Sequence, residues 1–254
     1  ERTVQAAAPG GSTDSPRLAA PAPAAAPSLP KPGPRPVERV SAEGDYSTIA
    51  KRSGPAVVLV AVQWPDSSAF SGSGFSISSR GEIVTNRHLV QRAGAQMPLP
   101  IAVIFSDTKA WLPAHVVKVS ASADLALLQV DRAGPFPAVA GIVPHAASTA
   151  VGKAVAIIGY PLGTDTPMEG SGTRITARST LVAGTLSKNL ADVLQIDAYA
   201  GEGSSGSPVF NTAGNVIGVV YGGARESAGR IVYAVPSDAI GSLSQNEATG
   251  SRSW

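Results

Sequence analysis

The run from Ala200 to Asn211, AGEGSSGSPVFN, places three glycines and three serines in a tight stretch directly before an apolar segment. Glycine-rich turns let successive backbone N–H groups converge on one point, which is what an oxyanion-binding pocket requires. Ser205, inside that turn, would present its hydroxyl beside those donors as a nucleophile. An ordinary hairpin loop is the competing reading, since Gly and Ser are the commonest loop residues. A serine hydroxyl attacks poorly unless a base takes its proton, so a histidine partner is needed. His88 lies in IVTNRHLV, Ile83–Val90, where an apolar strand ends and a polar turn begins, a position at a barrel rim. His115 falls within an alternating strand pattern and should face solvent, and His145 falls in a proline-bounded connection.

A carboxylate completes the set. In ADLALLQV, Ala123–Val130, Asp124 heads an unbroken apolar strand. A charge at such a place is costly unless it is hydrogen-bonded, and an imidazole N–H is a natural partner; a solvated Asp ending a turn is the alternative. Every histidine precedes Ser205 and no Gly-x-Ser-x-Gly elbow surrounds it, which excludes the α/β-hydrolase arrangement. The order His88, Asp124, Ser205 is that of chymotrypsin-like barrels.

These residues must be carried by strands. From about Tyr46 onward, Val, Ile, Ala and Gly form short apolar runs separated by Gly, Pro, Ser, Asn and Asp, the pattern of an all-β chain. Strands are predicted at 56–64, 74–78, 82–85, 101–105, 111–119 and 125–130, then at 154–160, 173–186, 193–197, 208–211, 216–221 and 230–235. Two sets of six, joined near Pro135–Pro144, predict two packed six-stranded antiparallel β-barrels, about 46–134 and 145–236, within a domain spanning 46–245. A short C-terminal helix should follow Pro236, capped by Ser237, with 246–254 as a tail.

The first 36 residues hold 9 of the 21 prolines and 9 alanines, so residues 1–45 read as a disordered Pro/Ala-rich linker. The chain has no cysteine, which excludes disulfides and thiolate metal sites, and its three histidines show no His-Glu-x-x-His spacing. Its net charge of +2 is scattered and not clustered with aromatics, so no nucleic-acid surface is indicated. No apolar run approaches the ~20 residues of a membrane-spanning helix. The chain starts at Glu1 in place of a methionine, which leaves room for an upstream signal or anchor.

Taken together, the motifs resemble a known group. GSGFSISSRGEIVTNRHLV, Gly72–Val90, DLALL from Asp124 and LQIDA from Leu194 are similar to bacterial HtrA-like, or Deg, serine proteases. SGSPVFN, Ser205–Asn211, is closer to bacterial glutamyl endopeptidases. The resemblance implies a trypsin-like fold and hydrolysis of peptide bonds in polypeptide substrates without a metal or organic cofactor, in the periplasm, the cell envelope or outside the cell. It makes Ser205 the nucleophile, His88 the base and Asp124 its partner. The N–H groups of Gly203 and Ser205 become the oxyanion hole, and Tyr221, Gly222 and Gly223 flank the pocket for the residue before the cleaved bond.

The departures from these families carry information too. Ser207 stands where HtrA-like enzymes have glycine, and Ser204 where digestive enzymes have aspartate, so activation by insertion of a new N-terminal amine is not expected. Too few residues follow Val235 for a PDZ domain. Ala200 and Val220 replace the threonine and histidine with which glutamyl endopeptidases grip a carboxylate. Together with Gly222 they predict a preference for small or medium aliphatic side chains. A catalytically silent peptide-binding scaffold on the same fold is the competing reading.

Overall fold

The computed structural model describes residues 46–144, 146, 149–170 and 176–244. The linker over 1–45, the tail over 246–254, His145 and the start of the strand expected from Thr173 lie outside the described residues.

The chain opens with helix α1, Tyr46–Ser53, and continues into barrel-one strands β1 Val57–Gln63, β2 Ala69–Ser76 and β3 Glu82–Thr85. A single helical turn, α2, Arg87–Val90, separates these from β4 Ile101–Phe105, β5 Trp111–Val119 and β6 Ala126–Val130. The second set is β7 Ala154–Gly159, β8 Thr180–Asn189, β9 Leu194–Asp197, β10 Pro208–Asn211, β11 Val216–Gly223 and β12 Ile231–Pro236, followed by helix α3, Asp238–Ser244. Barrel one closes in the order β1-β2-β3-β6-β5-β4 and barrel two in the order β7-β8-β9-β12-β11-β10, with every pairing antiparallel. The two halves therefore share one topology, and the expected pair of six-stranded barrels is present.

Strand periodicity explains how the apolar residues divide. Successive side chains on a strand point to opposite faces. On β1, Val58, Val60 and Val62 enter the barrel-one interior, while Val57 and Leu59 join a separate cluster with residues of barrel two. On β7, Val155 and Ile157 fill the barrel-two interior, while Ala156 and Ile158 face that shared layer. Both faces of these strands are buried, so they read as continuous apolar runs instead of alternating ones. The shared layer, with Phe75, Val84, Leu125, Ile158, Tyr160 and Phe210, joins the barrels. Each such fully buried large side chain contributes roughly 1.5–3 kcal/mol.

Three local expectations change. The strand expected over 173–186 is β8, Thr180–Asn189, with residues 177–179 outside any strand. The strand predicted at 74–78 begins earlier, at Ala69, because Ala69 and Phe70 are exposed and the Ser71-Gly-Ser73 run after them breaks the apolar pattern. Ser237 does not cap α3 through its side chain; its hydroxyl donates to the Val143 carbonyl at 2.6 Å and ties the helix start to the inter-barrel connection.

β7 ends in a tight steric fit. A methyl group on the Gly159 Cα would lie 1.9 Å from Ser207 Oγ, 2.9 Å from Ser207 Cβ and 2.8 Å from Ser73 Oγ. The buried Ser207 hydroxyl, which has no hydrogen-bond partner, thus occupies the space that any larger residue at 159 would need. Gly159→Ala should cost about 1–3 kcal/mol through overpacking. Adding Ser207→Gly removes two of the three clashes, so urea denaturation of both singles and the double should show a favourable coupling between the sites; purely additive effects would contradict this account.

Candidate active site

His88 and Asp124 meet because of strand register. β3 and β6 are neighbours in barrel one, with Thr85 opposite Ala126. The residues just after β3 and just before β6 therefore emerge side by side at one barrel rim. His88 Nδ1 lies 2.6 Å from Asp124 Oδ2, and the His88 backbone N–H donates to Asp124 Oδ1 at 2.9 Å. Asn86 Nδ2 holds the Asp124 carbonyl at 2.8 Å. With the carboxylate on Nδ1, that nitrogen carries the proton, and Nε2 keeps its lone pair for a neighbouring hydroxyl.

Burial pulls the Asp124 carboxyl upward, but the His88 hydrogen bonds and charge, with Arg87 nearby, outweigh it and hold it below the usual carboxylate range. The side chain is only 23% exposed. His115, in contrast, is exposed on β5 and pairs with Asp131 through Nδ1 at 2.5 Å, away from these residues in sequence and sheet position.

Ser205 arrives from barrel two on the turn before β10. Its carbonyl accepts the Ser73 N–H of β2 at 2.7 Å, and Gly72 lies beside both partners. A methyl group on the Gly72 Cα would come within 2.6 Å of Leu89 Cδ2 and 3.1 Å of the Ser205 carbonyl oxygen. The serine turn and the residue following His88 thus converge on one point of β2. No Ser205–His88 hydrogen bond is formed among the described residues, and such catalytic bonds commonly tighten only with substrate in place.

Every peptide plane of the serine turn is held from outside or across the turn. The Glu202 carbonyl accepts Leu162 N–H at 2.5 Å, and the Ser204 carbonyl accepts Ser207 N–H at 3.0 Å. The Gly203 carbonyl accepts the Ser73 hydroxyl at 2.9 Å. Gly206 N–H reaches the Val220 carbonyl at 2.8 Å, and Val220 N–H returns to the Ser207 carbonyl at 2.9 Å. Gly206 itself has φ +88°, and a Cβ there would lie 1.9 Å from the Ser73 carbonyl oxygen, so only glycine fits. The N–H groups of Ser204, Gly206 and Ser207 are bonded, while those of Glu202, Gly203 and Ser205 have no acceptor among the described residues. The last two are the pair expected for an oxyanion pocket.

The Ser204 hydroxyl accepts Gly201 N–H at 3.2 Å, closing its own loop. Val220 is 1% exposed within the barrel-two core, and Ala200 packs against the same cluster. Gly222 borders open space, whereas a Cβ on Gly223 would meet the Ile231 carbonyl at 2.7 Å. Tyr221 stacks on Tyr233, with centroids 6.2 Å apart, and lines a groove of about 360 Å³ with Asp124 and Asp192. Burial, then Tyr233, Asp192 and Asp124, push its phenol upward.

Sequence reasoning did not single out Ser73, Asn86 or the Tyr160–Gly163 bend. The signals available were a serine between two glycines ahead of a buried strand and an asparagine at a strand end, neither specific without knowledge of its partner.

Comparisons with known proteins bear out the two-barrel fold. Residues 72–219 match the trypsin-like peptidase domain family. The chain is 34% identical to a probable periplasmic serine endoprotease DegP-like of Rhizobium meliloti, over 72% of this chain and 35% of that protein. It is 29% identical to Protease Do-like 1, chloroplastic, of Arabidopsis thaliana, over 68% of this chain and 38% of that one. It therefore spans well under half the length of these relatives. The serine endoprotease of Yersinia pestis superposes with a TM-score of 0.62 at 26% identity, covering 78% of this chain and 64% of that one. An HtrA-type protease solved with a tripeptide shares the fold, with a TM-score of 0.63 at 24% identity over 78% and 61% of the two chains. The matched span runs from Gly72 in β2 through the His88–Asp124 pair and the serine turn to Val219 in β11, and on it the chain belongs to the trypsin-like peptidase domain family.

Proposed function

We propose that this chain is a serine endopeptidase in which Ser205, His88 and Asp124 form the catalytic triad. The observation that carries the reading is the serine turn, where the N–H groups of Ser204, Gly206 and Ser207 are bonded and those of Gly203 and Ser205, on either side of Ser204, are not. Ser205 Oγ attacks the scissile carbonyl carbon while its proton passes to His88 Nε2, and the new oxyanion accepts the Gly203 and Ser205 N–H bonds. The C–N bond breaks as His88 protonates the leaving amine. Water, deprotonated by His88, then cleaves the Ser205 ester and releases the acid. Asp124 keeps the proton on Nδ1 throughout. The name of the Rhizobium meliloti relative supports a periplasmic or otherwise exported setting. No helix among the described residues is long and apolar enough to cross a membrane.

Ala200 and Gly222 carry no charged group, and the Val220 side chain, buried in the barrel-two core, offers none either, which supports small or medium aliphatic residues before the cleaved bond; a buried Glu, Lys or Arg side chain would lack a partner there. Sequencing the products of a peptide library checks this, and dominant cleavage after Glu, Lys or Arg would overturn it.

A fluorophosphonate should label the folded protein at Ser205, and the Ser205→Ala variant should not react; an inert wild type favours the scaffold reading. Asp124→Asn should lower turnover about 10⁴-fold, as in established Ser-His-Asp peptidases, through the wrong histidine tautomer. A loss below about tenfold would point to another carboxylate.

The depressed Asp124 titration has a sign that stability measurements can read. A carboxyl whose folded pKa lies below its unfolded value of 3.8 stabilises the fold above that value, and the contribution disappears as pH falls through the folded one. The difference in unfolding free energy between wild type and Asp124→Asn should thus shrink as pH falls below about 4. A difference that keeps growing as pH falls below about 4 would refute the assignment.

A further inference from the structure

Ser73 is fully buried where β2 meets the serine turn, and it makes four hydrogen bonds there. Its N–H donates to the Ser205 carbonyl at 2.7 Å, and its carbonyl accepts Thr85 Oγ1 at 2.7 Å. The hydroxyl accepts Tyr160 N–H at 2.9 Å and donates to the Gly203 carbonyl at 2.9 Å. The backbone bonds would survive any residue at this position; the two hydroxyl bonds would not.

We propose that the Ser73 hydroxyl is a positioning residue for peptide hydrolysis: by holding the Gly203 carbonyl it fixes the glycine whose own N–H, on the Glu202–Gly203 peptide, is offered to the oxyanion. The inference rests on the reading of Ser205 as nucleophile with Gly203 and Ser205 as oxyanion donors. Gly203 sits at φ +89°, and a glycine there lets the plane beside it rotate at little steric cost. Because the Gly203 N–H and the Glu202 carbonyl share one peptide plane and point opposite ways, a turn of the glycine would swing the donor away and bring that carbonyl toward the space where negative charge develops, replacing attraction with repulsion. An external clamp must therefore prevent it. The Tyr160 N–H makes the clamp directional: by occupying a lone pair of Ser73 Oγ, it leaves the O–H free to point at the Gly203 carbonyl. Tyr160 immediately precedes the bend whose Leu162 N–H holds the Glu202 carbonyl, so the planes on both sides of Gly203 are referenced to one short segment after β7. Without the hydroxyl, the Gly203 carbonyl loses its donor and gains a reason to turn elsewhere.

The test compares wild type with Ser73→Ala, measuring kcat and KM on a peptide substrate and inhibition by a peptide aldehyde against that by the matching peptide alcohol. The aldehyde forms a hemiacetal with Ser205 and places an oxygen in the oxyanion pocket; the alcohol does not. Ser73→Ala should lower kcat about 10²-fold, the order seen on loss of one oxyanion donor, with KM nearly unchanged. Aldehyde affinity should fall by a similar factor, alcohol affinity should hold, and the acid limb of the kcat/KM pH profile should stay in place because His88 and Asp124 are untouched. Ser73→Thr should recover most of the loss and Ser73→Val should not. If Ser73→Ala is too unstable to assay, this pair of equal volume, differing by the hydroxyl, decides the matter. A folded Ser73→Ala with wild-type kcat and aldehyde affinity overturns the inference, as does an equal loss for aldehyde and alcohol. A wild type inert to fluorophosphonate and aldehyde would sink the peptidase reading and this inference with it, whereas a reactive wild type matched by Ser73→Ala sinks this inference alone.

Discussion

The serine turn is joined to barrel one by hydrogen bonds across the seam between the barrels, and the site's geometry depends on that seam. Ser73 on β2 reaches both Gly203 and Ser205, and Thr85 on β3 fixes Ser73 in turn. Each neutral bond of this kind adds only about 0.5–1.5 kcal/mol net, but leaving one of its buried groups unpaired costs about 1–3 kcal/mol. The seam therefore directs more strongly than it stabilises. Apolar packing in the shared layer, with Leu59, Phe75, Ile158 and Phe210, supplies the adhesion, and the polar contacts choose one register within it.

That division explains what could be read from the amino-acid order. Strands β1, β4, β7 and β10 announce themselves because β-branched and aromatic residues fill faces that are almost wholly buried. Helix α1 does not: in YSTIAKRS the buried positions are Ile49 and Ser53, and one apolar residue makes no periodic stripe. The first part of β2 is hidden for the opposite reason. Ala69 and Phe70 lie on the surface, paired to β1 through the backbone alone, and backbone pairing leaves no compositional trace.

The site divides in the same way. His88 and Asp124 stand at the ends of adjacent strands, so their motifs mark both chemistry and location. Ser205 is marked by its glycines. Ser73 reads as an ordinary strand-edge serine, because the group that gives it meaning, the Gly203 carbonyl, lies 130 residues away. Sequence patterns report periodicity and local turn chemistry; a single long-range hydrogen bond leaves one polar letter and no period. Ser237 shows the same limit, since a residue suited to cap the next helix bonds instead to Val143.

The two barrels repeat one strand order yet, in the proposed mechanism, contribute different things. Barrel one supplies the imidazole and carboxylate from strand ends, where the closed sheet fixes them with little freedom. Barrel two supplies a turn whose backbone must present N–H groups instead of side chains, so glycines are needed and stiffness has to be imported. Val220 imports part of it from β11 through both its N–H and its carbonyl, while its own side chain serves only the core. A residue can thus hold the serine turn by backbone alone and remain free to vary among apolar types. This separation accounts for a fold shared at 24–34% identity with HtrA-type and DegP-like proteins. Core positions ask for volume and β-propensity, whereas a few seam positions, Gly159, Gly206 and Ser73 among them, admit a single shape or a single donor.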